Sequence, residues 1–176
     1  MTHLFIILSC LMTFPMTNQT PTYIEISGGE TGISGNLSEG VSMPDLSWAW
    51  SSSNACFTSM ETEHFTGYHR LYYFDLPSYT EVEIQLIPED AKADFSLYAY
   101  EVGKVSESNT VPNLVRCVRC EADYKRDRPI RGRVQDHTRT VKHILAIRNP
   151  YQVVIGVAGA AGLSEGAFTL KIKKVN

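Results

Sequence analysis

The stretch that most restricts the fold is the last quarter of the chain, residues 151–174, where two β-forming runs flank a Gly/Ala/Ser connection. The second run alternates without a break, with Phe168, Leu170 and Ile172 on one face and Thr169, Lys171 and Lys173 on the other. A period of two means a strand with one buried face. The pair reads as a β-hairpin that closes a sheet. The same alternation recurs at 80–87, where Val82, Ile84 and Leu86 interleave with Glu81, Glu83 and Gln85. At 94–102 it sets Phe95, Leu97 and Ala99 against Ser96, Tyr98 and Tyr100, and at 139–147 it puts Val141, His143, Leu145 and Ile147 on one face. Shorter strand candidates lie at 22–27, 46–51 (Trp48 and Trp50 on one face) and 67–76. No window sustains an apolar period of 3.6, so helices are not expected. The expectation is an all-β chain, an antiparallel β-sandwich of jelly-roll type with seven to nine short strands.

A chain of 176 residues, 43% apolar, can bury one ordinary core. Residues 1–20 read as a leader: the apolar stretch 4–14 has signal-peptide length and is too short to span a bilayer, although Met1-Thr2-His3 supplies no positive charge. Ile7-Leu8-Ser9-Cys10 approaches a bacterial lipobox, departing from it at Leu8. A lipid on Cys10 is the one route to membrane attachment that the sequence offers. Residues 21–45 read as an N-terminal strand and a Gly/Ser-rich linker (28–47 as loop), and 46–176 as the sandwich with a polar, basic excursion at 103–138. The expected location is secreted, periplasmic or cell-envelope, with a lipoprotein as the alternative.

In an exported chain the cysteines after the leader suggest a disulfide, Cys56 with Cys117 or Cys120, and a Cys117–Cys120 bond is the alternative. Cys117-x2-Cys120 followed by His137 and His143 approaches zinc-finger spacing. The shared face of His143 with Val141, Leu145 and Ile147, and the lack of a recognition helix, argue against zinc. Asp90 and Asp94 alone are too few carboxylates for calcium. No metal and no cofactor is expected.

Charge is divided unevenly. Residues 1–69 contain no Lys or Arg, while 116–148 hold ten of the sixteen basic residues against four acidic ones, so that segment is net +6 and the remainder −9. A solvated segment attracted by the acidic remainder accounts for this. The sharper reading is a dock for an anionic partner built on Arg126, Arg128, Arg131 and Arg133. Only Tyr124 supplies an aromatic ring there, which argues against a single-stranded nucleic-acid platform.

Gly162-x-Ser164-x-Gly166 matches the serine-hydrolase elbow, yet an alternating strand rather than a helix follows it, and neither Asp nor His remains downstream. Glu61, Glu63 and His64 read as a solvated polar loop. A Cys120–His137 nucleophile pair conflicts with oxidised, exported cysteines, and the glycines at 156–162 have no helix to make a phosphate site. No enzyme is expected.

Three elements together carry a family resemblance: Tyr73-Phe74-Asp75-Leu76-Pro77 leading into the strand 81–88; Asp94, Phe95, Leu97 and Tyr98; and Tyr151, Val153 and Ile155 followed by Gly166, Phe168 and Leu170. In these the stretch 65–174 resembles the bacterial pre-peptidase C-terminal domain, a β-sandwich appended to secreted proteases and other exported proteins. The chain shows no protease domain, and the Cys-containing basic excursion is not part of the family pattern. The resemblance implies an exported accessory module. The functional expectation is a non-catalytic binding or adhesion module at the cell surface for polysaccharide or a surface protein. Trp48, Trp50, Tyr98 and Tyr100 are the rings that would stack on a sugar. The alternative is a structural envelope protein that docks an acidic partner through 116–148.

Overall fold

A computed structural model of the chain describes residues 19–43, 45–50, 59–125, 131–132 and 136–175. The strands in chain order are β1 (Thr22–Tyr23), β2 (Glu30–Asn36), β3 (Val41–Ser42), β4 (Tyr68–Leu76), β5 (Thr80–Pro88), β6 (Phe95–Val102), β7 (Cys120–Asp123), β8 (Arg139–Ala146), β9 (Tyr151–Gly159) and β10 (Ala167–Lys174). Four 3₁₀ turns join them: η1 (Leu37–Glu39), η2 (Ser47–Trp50), η3 (Ser59–Phe65) and η4 (Glu107–Asn109). One sheet runs β1-β4-β9-β6-β7 with β3 added beside β4; the other runs β2-β10-β5-β8. Apart from the two-residue parallel pair β1–β4, every pairing is antiparallel. The chain is an all-β sandwich.

The interior lies between the sheets. Tyr72, Phe74 and Leu76 of β4, Phe95, Leu97 and Ala99 of β6, and Val153, Ile155 and Val157 of β9 meet Val82, Ile84 and Leu86 of β5 and Phe168, Leu170 and Ile172 of β10. Phe95 and Phe168 cross edge to face, with ring centroids 5.7 Å apart. Burying one such side chain contributes roughly 1.5–3 kcal/mol, so this interior supplies most of the driving force. The larger sheet is covered on its other face too. Leu71, Tyr98, Tyr100, Val154 and Ala158 pack beneath Met43, Leu46, Trp48, Ala49, Phe65, Val111 and Leu114. Those covering side chains come from Met43, Leu46 and η2, from η3 and from the excursion after β6, so the six-stranded sheet is a middle layer.

The closing segment is not a hairpin. β9 pairs with β4 and β6, whereas β10 pairs with β2 and β5, so residues 160–166 form an arch between the sheets. The reason lies in β9, which is buried on both faces from Val153 to Gly159 and already has a partner on each side. Positive φ angles at Ala161 (48°) and Gly162 (81°) turn the chain across. Most other connections cross as well, because each alternating strand must face an opposite apolar surface rather than extend its own sheet.

Four further expectations change. Residues 28–47 are not simply loop: β2 pairs with β10 along its length, and Gly35 lies so close to the Phe168 ring and the Tyr72 hydroxyl that a Cβ has no room. Within the 46–51 stretch, Ser47–Trp50 form the 3₁₀ turn η2 and not a strand, started by the Asp45 carboxylate accepting the Ser47 N–H at 2.8 Å. At 22–27 the strand is only Thr22–Tyr23. In β8 the phase slips by one: Ile84 pairs with Val141 but Val82 with Ile144, so Lys142 and His143 together oppose Glu83. This bulge, with φ of 62° at His143, buries Ile144 and Ala146 and turns His143 out to the Glu81 carboxylate, 2.7 Å away. His143 therefore does not share the core face with Val141, and neither do the half-buried Leu145 and the exposed Ile147.

Candidate functional site

The densest set of charged groups lies where β8, an edge strand, meets β6 and β7 of the other sheet. Arg139 shares the inward phase of Val141, and its side chain is fully buried. Its Nε donates to the Phe95 carbonyl at 2.6 Å and its Nη2 to Asp94 Oδ1 at 2.9 Å. His137 Nδ1 lies 3.0 Å from both Asp94 Oδ1 and Arg139 Nη2, so it donates to the carboxylate when protonated there and accepts from the guanidinium in the other tautomer. Burial pulls the Arg139 pKa down while Asp94 and Asp123 push it back up, so the guanidinium stays charged and paired. Two carboxylates complete the seam: Asp123 Oδ2 accepts the Thr140 N–H at 2.8 Å and Glu101 Oε1 the Leu145 N–H at 3.1 Å. Burial raises the Glu101 pKa, and the Leu145 amide and Arg119 oppose that rise. Every one of these groups joins one sheet to the other.

A second polar centre sits in the outer layer. His69 is fully buried, with Nε2 2.7 Å from the Phe65 carbonyl and Nδ1 2.9 Å from the Tyr98 hydroxyl. A carbonyl only accepts, so Nε2 carries the proton and Nδ1 accepts from Tyr98. Burial lowers the His69 pKa to about 4. The imidazole is neutral with both nitrogens engaged, an anchor for Phe65 and Tyr98 rather than a base.

The sugar-stacking rings separate sharply. Trp48, Tyr98 and Tyr100 are buried, at 5%, 0% and 0% exposure, so none offers a ring face to a ligand; Trp50 alone is open, at 54%. The physical reason is the covering layer: Tyr98 packs against Trp48 (5.6 Å) and Phe65 (6.2 Å), and the Tyr100 hydroxyl donates to the Asn109 carbonyl at 3.2 Å. Arg131 of the proposed anion dock is exposed. Arg126, Arg128, Arg133, Cys10 and Cys56 lie outside the described residues, and with Cys56 the first half of the expected disulfide. Cys117 and Cys120 are half-buried thiols.

The other motifs have plain structural roles. Ser164 is exposed in the arch, with strand β10 after it and Gly166 (φ 135°) seated over the Phe95 ring. The His64 ring stacks on Tyr124 at 4.9 Å and pairs with Glu61 at 3.4 Å. His137 and His143 point to different carboxylates, Asp94 and Glu81, so the zinc-like spacing does not converge. Asp90 caps the Lys92 N–H while Asp94 serves Arg139, and no group of three or more metal-ligating side chains occurs among the described residues. Sequence reasoning missed Arg139, His137, Glu101 and Asp123 as a set. One signal was present, a charged Arg139 at an apolar phase of its strand.

No helix among the described residues is long and apolar enough to cross a membrane. No protein-family model and no curated protein matches the chain. Among solved structures, the fold is similar to PliG of Aeromonas hydrophila, a periplasmic lysozyme inhibitor of g-type lysozyme (7% identity, 88% of this chain and 96% of that chain, TM-score 0.40). It is also similar to CorA, a surface-associated copper-binding protein of Methylomicrobium album (12%, 88% and 96%, TM-score 0.43). A third is the cleaved adhesin domain of Lys-gingipain from Porphyromonas gingivalis (14%, 82% and 95%, TM-score 0.33).

Proposed function

We propose that the chain is a non-catalytic exported module that binds a protein at the cell surface, in keeping with its leader-like residues 1–20 and its resemblance to pre-peptidase C-terminal domains. The observation that carries this is the set of apolar side chains left open by the segments that cover the six-stranded sheet: Trp50 at 54%, Val115 at 78% and Val118 at 57% exposure. Among the described residues, the buried charged and imidazole groups of the Arg139 seam and of His69 are engaged with partners inside the protein. Aliphatic and cationic groups together suit a protein partner with an apolar, acidic patch better than a sugar, which needs several open rings. Arg116, Arg131 and Arg148 are exposed and suit the acidic part of that patch.

The test is binding of the purified chain to the envelope fraction of the producing cell. Trp50→Ala combined with Val115→Asp and Val118→Asp is expected to weaken binding at least about tenfold, and protease treatment of the fraction is expected to abolish it. Binding that survives protease but not periodate moves the reading to polysaccharide. Binding unchanged by the triple substitution rejects this surface.

A further inference from the structure

The entry to β7 is irregular in a way that bears on Cys117 and Cys120. The Val118 N–H donates to the Glu101 carbonyl at 2.9 Å, and the Glu101 N–H donates to the Arg119 carbonyl at 2.8 Å. The regular ladder resumes with Cys120 opposite Tyr100. Val118 and Arg119 therefore oppose the single residue Glu101, a β-bulge. In an unbroken strand residues three apart point to opposite faces, and one inserted residue returns them to the same face. Cys117 and Cys120 accordingly both pack on the second core, together with Ala122 and Tyr124, while Val118 remains open. We propose that Cys117 and Cys120 form an intramolecular disulfide, closed by thiol–disulfide exchange with an oxidised low-molecular-weight disulfide.

The chemistry balances. One protein sulfur, as thiolate, attacks the oxidant's S–S bond, forms a mixed disulfide and expels one small thiol. The second protein sulfur attacks the first, forms the Cys117–Cys120 bond and expels the other small thiol. Two protein S–H bonds and one oxidant S–S bond are replaced by one protein S–S bond and two small-molecule thiols. A contact between the two thiols raises the Cys117 pKa, and burial and the Glu101 carboxylate raise it further. A thiol so held is a slow nucleophile, which fits a bond made once and kept rather than turned over. The disulfide would lock the bulge and, through Glu101, the amide of Leu145 across the seam.

The test uses the full folded chain incubated with oxidised glutathione, followed by alkylation and peptide mapping. The expected result is one peptide with Cys117 and Cys120 linked and unalkylated, in wild type and in Cys56→Ser alike. The oxidised forms of both should also unfold at higher urea than the reduced forms, a gain absent from Cys120→Ala. A map that links Cys56 to Cys117 or Cys120 overturns the proposal. So does full alkylation of Cys117 and Cys120 after oxidant in the wild-type chain, which requires no variant to fold.

Discussion

The two sheets are built from similar strands yet carry their burial differently. The four-stranded sheet has one face in the core and one open, and β5 and β10 alternate strictly. The six-stranded sheet is buried on both faces at its centre: every residue of β6 is inside, as is β9 from Val153 onward. The first sheet tolerates change on one side. The second has no free side, because η2, η3 and the excursion lie over it and depend on close contacts such as Gly156 beneath the Tyr98 ring. Alternation of sequence therefore means different things in the two sheets: inside against outside in one, one core against another in the other.

Substitutions can break this comparison. The largest effect is expected where the sheets are joined: Arg139→Met leaves Asp94 without its buried cation and should cost about 3–5 kcal/mol in urea unfolding; a loss below about 1 kcal/mol would mean the seam does not hold the sheets together. Next comes Gly156→Ala, which drives a Cβ into Tyr98 and should cost about 3 kcal/mol. Its counterpart Gly32→Ala in β2 meets nothing within 4 Å, and should stay within about 0.5 kcal/mol. Equal losses at the two glycines would erase the distinction between the sheets.

His69 sharpens it through pH. Its folded pKa of about 4 lies below the ordinary 6.5. The unfolded chain takes up the proton first, so the stability due to a neutral His69 is complete above 6.5 and is lost as pH falls toward 4. The total is at most about 3 kcal/mol. His69→Leu should lower stability at neutral pH and flatten that slope, read from urea midpoints at several pH values between 4 and 7; an unchanged slope would place the titration elsewhere. The smallest effects belong to the open face, where Lys142→Ala removes the solvent-facing Lys142–Glu83 pair (3.4 Å) and, like Gly32→Ala, should change stability by less than about 0.5 kcal/mol.

How far the sequence discloses this fold follows from the same contrast. In β5 and β10 one face meets water, so Val82, Ile84 and Leu86, and Phe168, Leu170 and Ile172, announce both strand and core. In β6 the alternation correctly separates Phe95, Leu97 and Ala99 from Tyr98 and Tyr100, but nothing local tells that a second apolar layer awaits the tyrosines; they read as a sugar platform. In β8 the bulge at Lys142 and His143 is fixed by pairing with β5, so counting residues by twos from Val141 lands on His143 instead of Ile144. The glycines of β2 suggested a linker because its strand character comes from β10 beside it. The Arg139 seam joins residues far apart in the chain, from Asp94 to Leu145, and such convergence leaves no periodic trace.

The carboxylates of Asp123 and Glu101 on the outward amides of β8 have a consequence for behaviour at high concentration. An uncovered edge strand is a template on which a second chain can add a strand, the first step toward fibres. Here two of the amides such a recruit would need are already taken, at Thr140 and Leu145. Growth from this margin first requires prying off two acids of the molecule itself, Asp123 of β7 and Glu101 of β6, so the fold's own side chains close the margin to a recruit.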